Sequence, residues 1–271
     1  MDISSLEERS EQLNNRLREL QPVIVAFSGG VDSAFLAHRA RQILGENALA
    51  VTSDSETVPS VQRQTAMDFA RRFELHHEVI TTSEMQVEDF IQNPVNRCYY
   101  CKNELFSKLI AMAKERGFKS VVDGANFDDL GDHRPGHDAA AELGVYHPLI
   151  ECRMTKADIR ELSRRDGLPT WDQPASACLS SRVPYGSLIT VEKLVSIDSG
   201  EQVLRDLGFR IFRVRHHGEI ARLEIAREEL ARALDSDIRG QLTARLKALG
   251  FRFVTLDLDG YRSGSMNEGV V

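Results

Sequence analysis

At 271 residues, with 42% hydrophobic and 28% charged residues, the chain has the composition of an ordinary globular protein with enough length for two packed domains. No apolar run approaches the roughly 20 residues of a helical membrane span, and the charged stretch from Met1 to Leu20 lacks the apolar centre of a signal peptide, so a cytoplasmic protein is expected. A formal net charge of −7 argues against a broad nucleic-acid footprint while permitting a local basic pocket for a small anion.

In chain order, Leu6, Leu13, Leu17 and Leu20 recur at near-helical spacing, which predicts an amphipathic helix packed on a sheet or on another subunit. Val23 to Phe27 form a short apolar run suited to a strand buried on both faces of a parallel sheet. Gly29 and Gly30 then let successive N–H groups turn toward one point at the positive end of a helix beginning near Ser33, which is a natural phosphate site. That helix ends at Gly45, and Ala48 to Thr52 return as a second strand. Val61 to Phe73 predict a helix, Leu75 to Ile80 a third strand, Leu105 to Arg116 a helix stopped by Gly117, and Ser120 to Gly124 a fourth strand. Such alternation describes a doubly wound α/β domain whose ligands lie at the carboxyl ends of the strands, here Thr52 to Ser55 and Asp123 to Asn126. The stretch from Asn126 to Gly136 reads as a polar loop dense in carboxylates, for which a solvated surface loop is the plain alternative. Thr155-Lys-Ala-Asp158 is a capping box, and Gly167 to Pro169 end its helix.

Trp171 to Gly186 is rich in breakers without a helical period and marks the domain junction. Beyond it, a helix around Leu194 to Leu207, strands at Ile211 to Arg215 and Ala221 to Ala226, helices from Arg227 to Leu249 and a strand from Phe251 to Leu258 make a small α+β domain. The division expected is 1–175 and 176–271.

The glycine loop lacks the Gly-Lys-Ser/Thr of a Walker motif and the third glycine of a dinucleotide fingerprint. Ser28-Gly-Gly-Val-Asp-Ser33 instead resembles the signature of the PP-loop ATP pyrophosphatases. The resemblance implies that ATP is cut between its α and β phosphates, that an acceptor is adenylated, and that Ser28, Gly29, Gly30 and Ser33 hold the pyrophosphate. In such folds the segments corresponding to Thr52 to Ser55 and to Asp123 to Asn126, with Gly124, border adenine and ribose. Asp32, a carboxylate among phosphates, makes physical sense as a ligand of Mg²⁺.

Four cysteines without a secretory signal suggest metal binding or redox chemistry before disulfides. Cys98-Tyr-Tyr-Cys101 has the spacing of a chelating hairpin for zinc or iron–sulfur ligation, with a dithiol redox pair as its rival and accidental spacing as the bland reading. Cys178, in the breaker-rich loop, can supply a third thiolate and leave one position open on a [4Fe–4S] cluster. Cys152 receives no role. Arg213 and Arg215 alternate along a strand and share a face, with His216 and His217 in the turn beyond, a geometry suited to bidentate recognition of phosphate or carboxylate and shared by many charged strand edges. Glu201 and Glu224 are either metal ligands of that pocket or surface glutamates.

Motifs from end to end resemble one PP-loop family, the ATP-dependent sulfur transferases of nickel pincer nucleotide biosynthesis. They include Cys98-x-x-Cys-Lys102, Gly124-Ala-Asn126, Asp128-Asp129, Arg134-Pro-Gly136, Leu168-Pro-Thr-Trp171, Ala177-Cys-Leu179, Ser181-Arg182 and Pro184-Tyr-Gly186. Arg213-Val-Arg-His-His-Gly218, Leu256-Asp-Leu258 and Gly260 to Met266 complete them. The resemblance implies ATP, Mg²⁺ and a pyridinium dicarboxylate mononucleotide as reactants, a carboxylate adenylated and then converted to a thiocarboxylate. Arg182, Arg213 and Arg215 are implied in substrate binding, Glu201 and Glu224 in a second metal site, and a homo-oligomer, a hexamer, is expected with no nucleic-acid or membrane partner. In one branch the cysteine at Cys178 surrenders its own sulfur and becomes dehydroalanine. In another, three cysteines carry a [4Fe–4S] cluster that presents an extra sulfide, and Cys98, Cys101 and Cys178 match that pattern. Lys102 is the candidate base near the thiol chemistry. A transfer-RNA thiolase and a non-catalytic ATP-binding module are the alternatives.

Overall fold

The computed structural model describes residues 5–131, 135–174, 176–262 and 264–267; Arg134 and Ser263 of the family motifs lie outside the described residues. Two units are built from interleaved pieces of chain, one from 1–84 with 96–176 and the other from 85–95 with 177–271. The expected division after residue 175 therefore has no counterpart for the earlier crossing, whose segment carries no linker composition.

In the first unit, α1 (Leu6–Leu20) opens with a capping box made by Ser5 and Glu8. Its Leu13, Leu17 and Leu20 are buried against α2 (Val31–Leu44), so the apolar stripe is used on a neighbouring helix of the same chain. Burial of this kind contributes about 1.5–3 kcal/mol per leucine. Between those helices runs β1 (Val23–Ala26), buried throughout. Then follow β2 (Ala48–Asp54), α3 (Ser60–Arg72) and β3 (His77–Thr81). After a short helix, α4 (Glu88–Ile91), come α5 (Arg97–Arg116), β4 (Ser120–Val122), α6 (Pro135–Glu142), α7 (Pro148–Glu151) and α8 (Lys156–Arg165).

The sheet order is β3-β2-β1-β4, all parallel. Side chains alternate across β1: Val23, Val25 and Phe27 enter the core with Leu17 and Phe35, whereas Ile24 and Ala26 face Phe106 and Leu109. Because the chain leaves β1 in one direction to β2 and β3 and later returns to its other side as β4, the strand order reverses between β1 and β4. That switch point opens a crevice at the strands' carboxyl ends, where the loops after β1 and β4 meet.

Two expectations change here. The helix predicted from Leu105 begins eight residues earlier, at Arg97, so Cys98-Tyr-Tyr-Cys101 occupies its opening turns instead of a hairpin. The stretch expected as a loop from 126 to 136 holds a 3₁₀ turn, Phe127–Gly131, and the start of α6.

The second unit has α9 (Val191–Asp206), β5 (Phe212–His217), β6 (Ile220–Ile225), α10 (Leu230–Ala233), α11 (Ser236–Ala248) and β7 (Phe253–Leu256). β5 and β6 are antiparallel and β7 adds in parallel to β6. Leu204, Val214, Leu223, Leu246 and Phe251 form its core. His216 and His217 pair with Ala221 and Ile220 inside the β5–β6 ladder, so the turn is Gly218-Glu219 and the histidines belong to the strand.

Candidate functional site

The loop after β1 is held by its own hydroxyls. Ser33 Oγ accepts from the Ser28 amide at 3.2 Å, lies 3.0 Å from Ser28 Oγ and donates to the Gly30 carbonyl at 3.1 Å. Gly29 adopts φ +76°, and a Cβ there would stand 2.9 Å from that of Ala66. A Cβ on Gly124, across the crevice, would stand 2.8 Å from the Ser33 nitrogen. Glycine at 124 lets the loops after β1 and β4 touch, and glycine at 29 lets the first of them close against α3. Gly30 is the N-cap of α2 and offers no side chain to the helix's first N–H groups, which leaves them suited to an anion.

Asp32, in the first turn of α2, accepts a short hydrogen bond through Oδ2 from the Lys156 ammonium. Its other oxygen, Oδ1, is buried with no hydrogen-bond partner. Burial pushes the Asp32 carboxyl above the usual range, against the opposing pull of Lys156, and Asp129 adds to the rise. A buried carboxylate oxygen lacking a donor beside a phosphate-type loop fits one ligand of Mg²⁺.

Lys156 escaped the sequence reading, which saw Thr155 to Asp158 only as a cap. The cap is real, with the Thr155 hydroxyl accepting from the Asp158 amide at 3.2 Å and the Asp158 carboxylate from the Thr155 amide at 2.9 Å. A cation in the first turn of a helix opposes the dipole, however, and that conflict was the available signal. The carboxylate-rich stretch before it is an ordered turn: Asp129 accepts from the Asn126 amide at 3.0 Å, and Asp128 from the Lys156 amide at 2.8 Å.

At the end of β4, buried Asp123 binds His147 Nδ1 through Oδ1 at 2.6 Å and accepts from the Ala125 amide at 3.1 Å. Burial opposes both charges, but the pair's hydrogen bond and mutual attraction prevail, lowering the Asp123 carboxyl and raising His147. His137 lies 5.8 Å from the His147 ring. Lys102 projects over Phe106, 5.0 Å from its centroid, close enough to Gly136 that a Cβ there would meet its stem at 3.0 Å. Its charge acts on Asp123 and His147. Neither His137 nor His147 carries a motif, and nothing in the sequence singled them out.

The four cysteines are thiols. Cys98 is exposed and Cys101 half-buried, one turn apart on α5 and so on one side of it. Cys101 Sγ donates to Glu84 Oε1 at 3.8 Å. Burial pushes the Cys152 thiol up to about 11, which makes it a poor nucleophile at neutral pH. Among the described residues no group of three or more His, Cys, Asp or Glu side chains is arranged to hold a metal ion; the Cys98 and Cys101 pair fits two positions of a larger ligand set.

In the second unit, Cys178 begins a 3₁₀ turn, Leu179–Arg182, with Sγ 2.9 Å from Ser180 Oγ. Arg182 is 2% exposed. It grips Glu201 with two bonds at 2.9 and 3.2 Å, and its Nη1 donates to the carbonyls of Ala177 and Cys178 at 2.7 and 2.9 Å. Arg182 thus holds the Cys178 turn as well as standing in the arginine cluster. Arg215 donates to Glu224 at 2.7 Å, to Ser265 at 3.0 Å and to the Ser181 carbonyl at 3.1 Å, while its Nε is buried without a partner. Arg213 lies over the Tyr261 ring at 5.0 Å, its charge disfavoured by burial and then by neighbouring Arg182. Glu201 and Glu224 are buried, which removes the surface reading, and both pair with arginine. Burial works against the Glu224 charge, but Arg215, Ser265 and Arg222 together hold its carboxyl low.

Residues 8–118 match the family model described as asparagine synthase. An uncharacterised protein of Synechocystis is 42% identical over 97% of this chain and 98% of its own. The pyridinium-3,5-bisthiocarboxylic acid mononucleotide synthase of Lactiplantibacillus plantarum is 36% identical over 98% of this chain and 96% of its own. The chain belongs to the PP-loop sulfur transferase family of nickel pincer nucleotide biosynthesis. An uncharacterised protein of Methanocaldococcus jannaschii is 28% identical over 93% of this chain and 96% of its own. Like others of the PP-loop sulfur transferases, this is an ATP-dependent enzyme built on a parallel α/β sheet with a small second sheet. No described helix is long and apolar enough to cross a membrane.

Proposed function

We propose that the enzyme adenylates a carboxylate of a pyridinium dicarboxylate mononucleotide and replaces the adenylate by sulfur to give a thiocarboxylate. The observation that carries the ATP half is the loop at 28–33 leading into α2, whose first N–H groups have no side-chain cap, beside an Asp32 oxygen that has no donor. The substrate carboxylate attacks the α phosphorus, the bond to the β-phosphate oxygen breaks, and pyrophosphate leaves into the loop. Amides already in place stabilise the charge that develops there. Mg²⁺, held in part by Asp32, would neutralise the phosphates, and Lys156 stands beside it as a second cation. The second unit, as proposed, takes the mononucleotide, its phosphate on Arg213 and Arg215, the latter having an unmet buried donor. It also carries self-association, hexameric by family resemblance. In this reading Glu201 and Glu224 orient the arginines, and service as ligands of a second metal would require those pairs to open.

A sulfur nucleophile then attacks the acyl-adenylate carbon and expels AMP. Cys98, Cys101 and Cys178 are proposed as ligands of a [4Fe–4S] cluster that would supply exchangeable sulfide. If Cys178 itself is the donor, its thiolate forms a thioester, a base takes the α-proton, and the Cβ–S bond breaks to leave dehydroalanine; Lys102 is the proposed base. ATP and thiol chemistry of this kind suit the cytoplasm.

The test is incubation with Mg²⁺, ATP and the carboxylated mononucleotide: AMP and pyrophosphate should form in equal amounts, and their absence would refute the adenylation. Arg213→Ala should weaken mononucleotide binding and spare ATP binding; equal loss of both would remove the phosphate role. Anaerobic reconstitution followed by intact mass measurement separates the sulfur sources. Unchanged mass through multiple sulfide-fed turnovers supports the cluster, and loss of one sulfur and two hydrogens at Cys178 supports sacrifice.

A further inference from the structure

Asn93 lies in the segment that the second unit takes from the middle of the chain. It is fully buried, at 0% exposure, and its φ of +56° is in the left-handed region that asparagine tolerates better than most residues. Its Nδ2 donates to three carbonyls, those of Val183 at 3.3 Å, Pro184 at 2.7 Å and Ser187 at 3.1 Å. Its own carbonyl accepts from the Gly186 amide at 3.0 Å, and that of Ile91 accepts from Ile189 at 2.9 Å. Between these anchors, Pro184 to Ser187 form a tight turn closed by the Ser187 amide on the Pro184 carbonyl at 3.0 Å, with Gly186 at φ +75°.

Three carbonyl oxygens directed at one point repel one another unless a donor sits among them, and the Asn93 NH₂ serves all three with its two hydrogens, one of them shared between two carbonyls. The stretch so fixed begins at Val183, directly after Arg182, whose guanidinium grips the carbonyls of Ala177 and Cys178. The turn bearing Cys178 is therefore secured by Arg182 from within and by Asn93 on its outgoing side.

We propose that Asn93 is a positioning residue for sulfur delivery: it fixes the conformation of residues 183–189 and thereby the place of Cys178 and Arg182. This rests on the reading of Cys178 as donor or ligand in the transfer. Asn93→Gly keeps the left-handed backbone and removes the amide. Asn93→Asp keeps the shape and sets an acceptor against three acceptors.

In both variants KM for ATP should stay within about twofold while kcat for sulfur transfer falls on the order of 100-fold, the cost of roughly 1 Å of misplacement. Alkylation of Cys178, read by peptide mass, should accelerate on the order of tenfold as the turn loosens. Wild-type alkylation and kcat in either folded variant would overturn the proposal, as would a parallel rise in ATP KM, which a general structural defect would cause. Should both variants fail to fold, hydrogen exchange on the unaltered protein decides. The amides of Ser181, Val183, Gly186 and Ile189 should open as one unit, and independent opening refutes the proposal. If Cys178→Ala retained full turnover, the donor reading would fall, whereas the alkylation and exchange results would still report whether Asn93 holds the turn.

Discussion

Asp32 shows a residue kept in a costly state for its chemistry. Its raised pKa means that folding disfavours the charged form, a penalty absent below the unfolded value near 3.8 and complete once pH has risen through the folded value. Asp32→Asn should therefore be at least as stable as the parent at pH 7, with the advantage disappearing in acid, yet lose on the order of 100-fold in pyrophosphate formation. Lys156, which loses its partner, is 37% exposed and remains hydrated. Melting curves across pH together with the pyrophosphate assay check both halves, and a large fall in stability at neutral pH would contradict the sign. His147 runs the other way. Its raised pKa gives a stabilising contribution that is whole below about 6.5 and lost as pH climbs through the folded value. NMR titration should find His147 above 6.5 in the parent protein and lower in Asp123→Asn; an unchanged value would deny the pair.

At the scale of elements, the buried arginine pairs make the second unit's loop and helix interdependent. Glu201, on α9, meets both oxygens to Arg182 in the 3₁₀ turn. Glu201→Ala would leave a guanidinium uncompensated in the interior and should cost about 3–5 kcal/mol, whereas Glu201→Gln, which keeps one acceptor, should cost less. Urea unfolding measures the difference, and a cost under about 1 kcal/mol for alanine would show that water reaches Arg182. Much at this scale was legible in the sequence. Val23 to Phe27 could only be a buried strand, Gly45 and Gly117 stop their helices where expected, and Thr155 caps as read. The opening turns of α5 were not legible, because Cys98-Tyr-Tyr-Cys101 interrupts the apolar period by which a helix is recognised. His216 and His217 were misplaced because a turn of Gly218 and Glu219 needs fewer residues than the histidines suggested.

For the molecule as a whole, the alternation of strands and helices and the glycine loop together made the first unit readable, since each local preference agreed with the fold. The contribution of residues 85–95 to the second unit was not readable. Its decisive contacts are long-range hydrogen bonds from Asn93 to carbonyls some ninety positions later, and no periodicity or composition announces such bonds. His147 was missed for the same reason, since its partner Asp123 lies 24 positions away, whereas Lys156, 124 positions from Asp32, was marked only by its charge in a helix's first turn.

That interleaving determines how the polypeptide can be broken. A nick between residues 176 and 177 leaves fragment 1–176 carrying the piece that completes the other fragment's fold, so the two halves should copurify and regain activity when mixed after denaturation. Fragment 177–271 made alone lacks Asn93 and should show poorly dispersed amide resonances, recovering them when 1–176 is supplied. Sharp resonances from the solitary fragment would refute this. Division of the gene into two reading frames at that point should therefore give cooperating products, neither of them a self-sufficient module that could be transplanted into another protein.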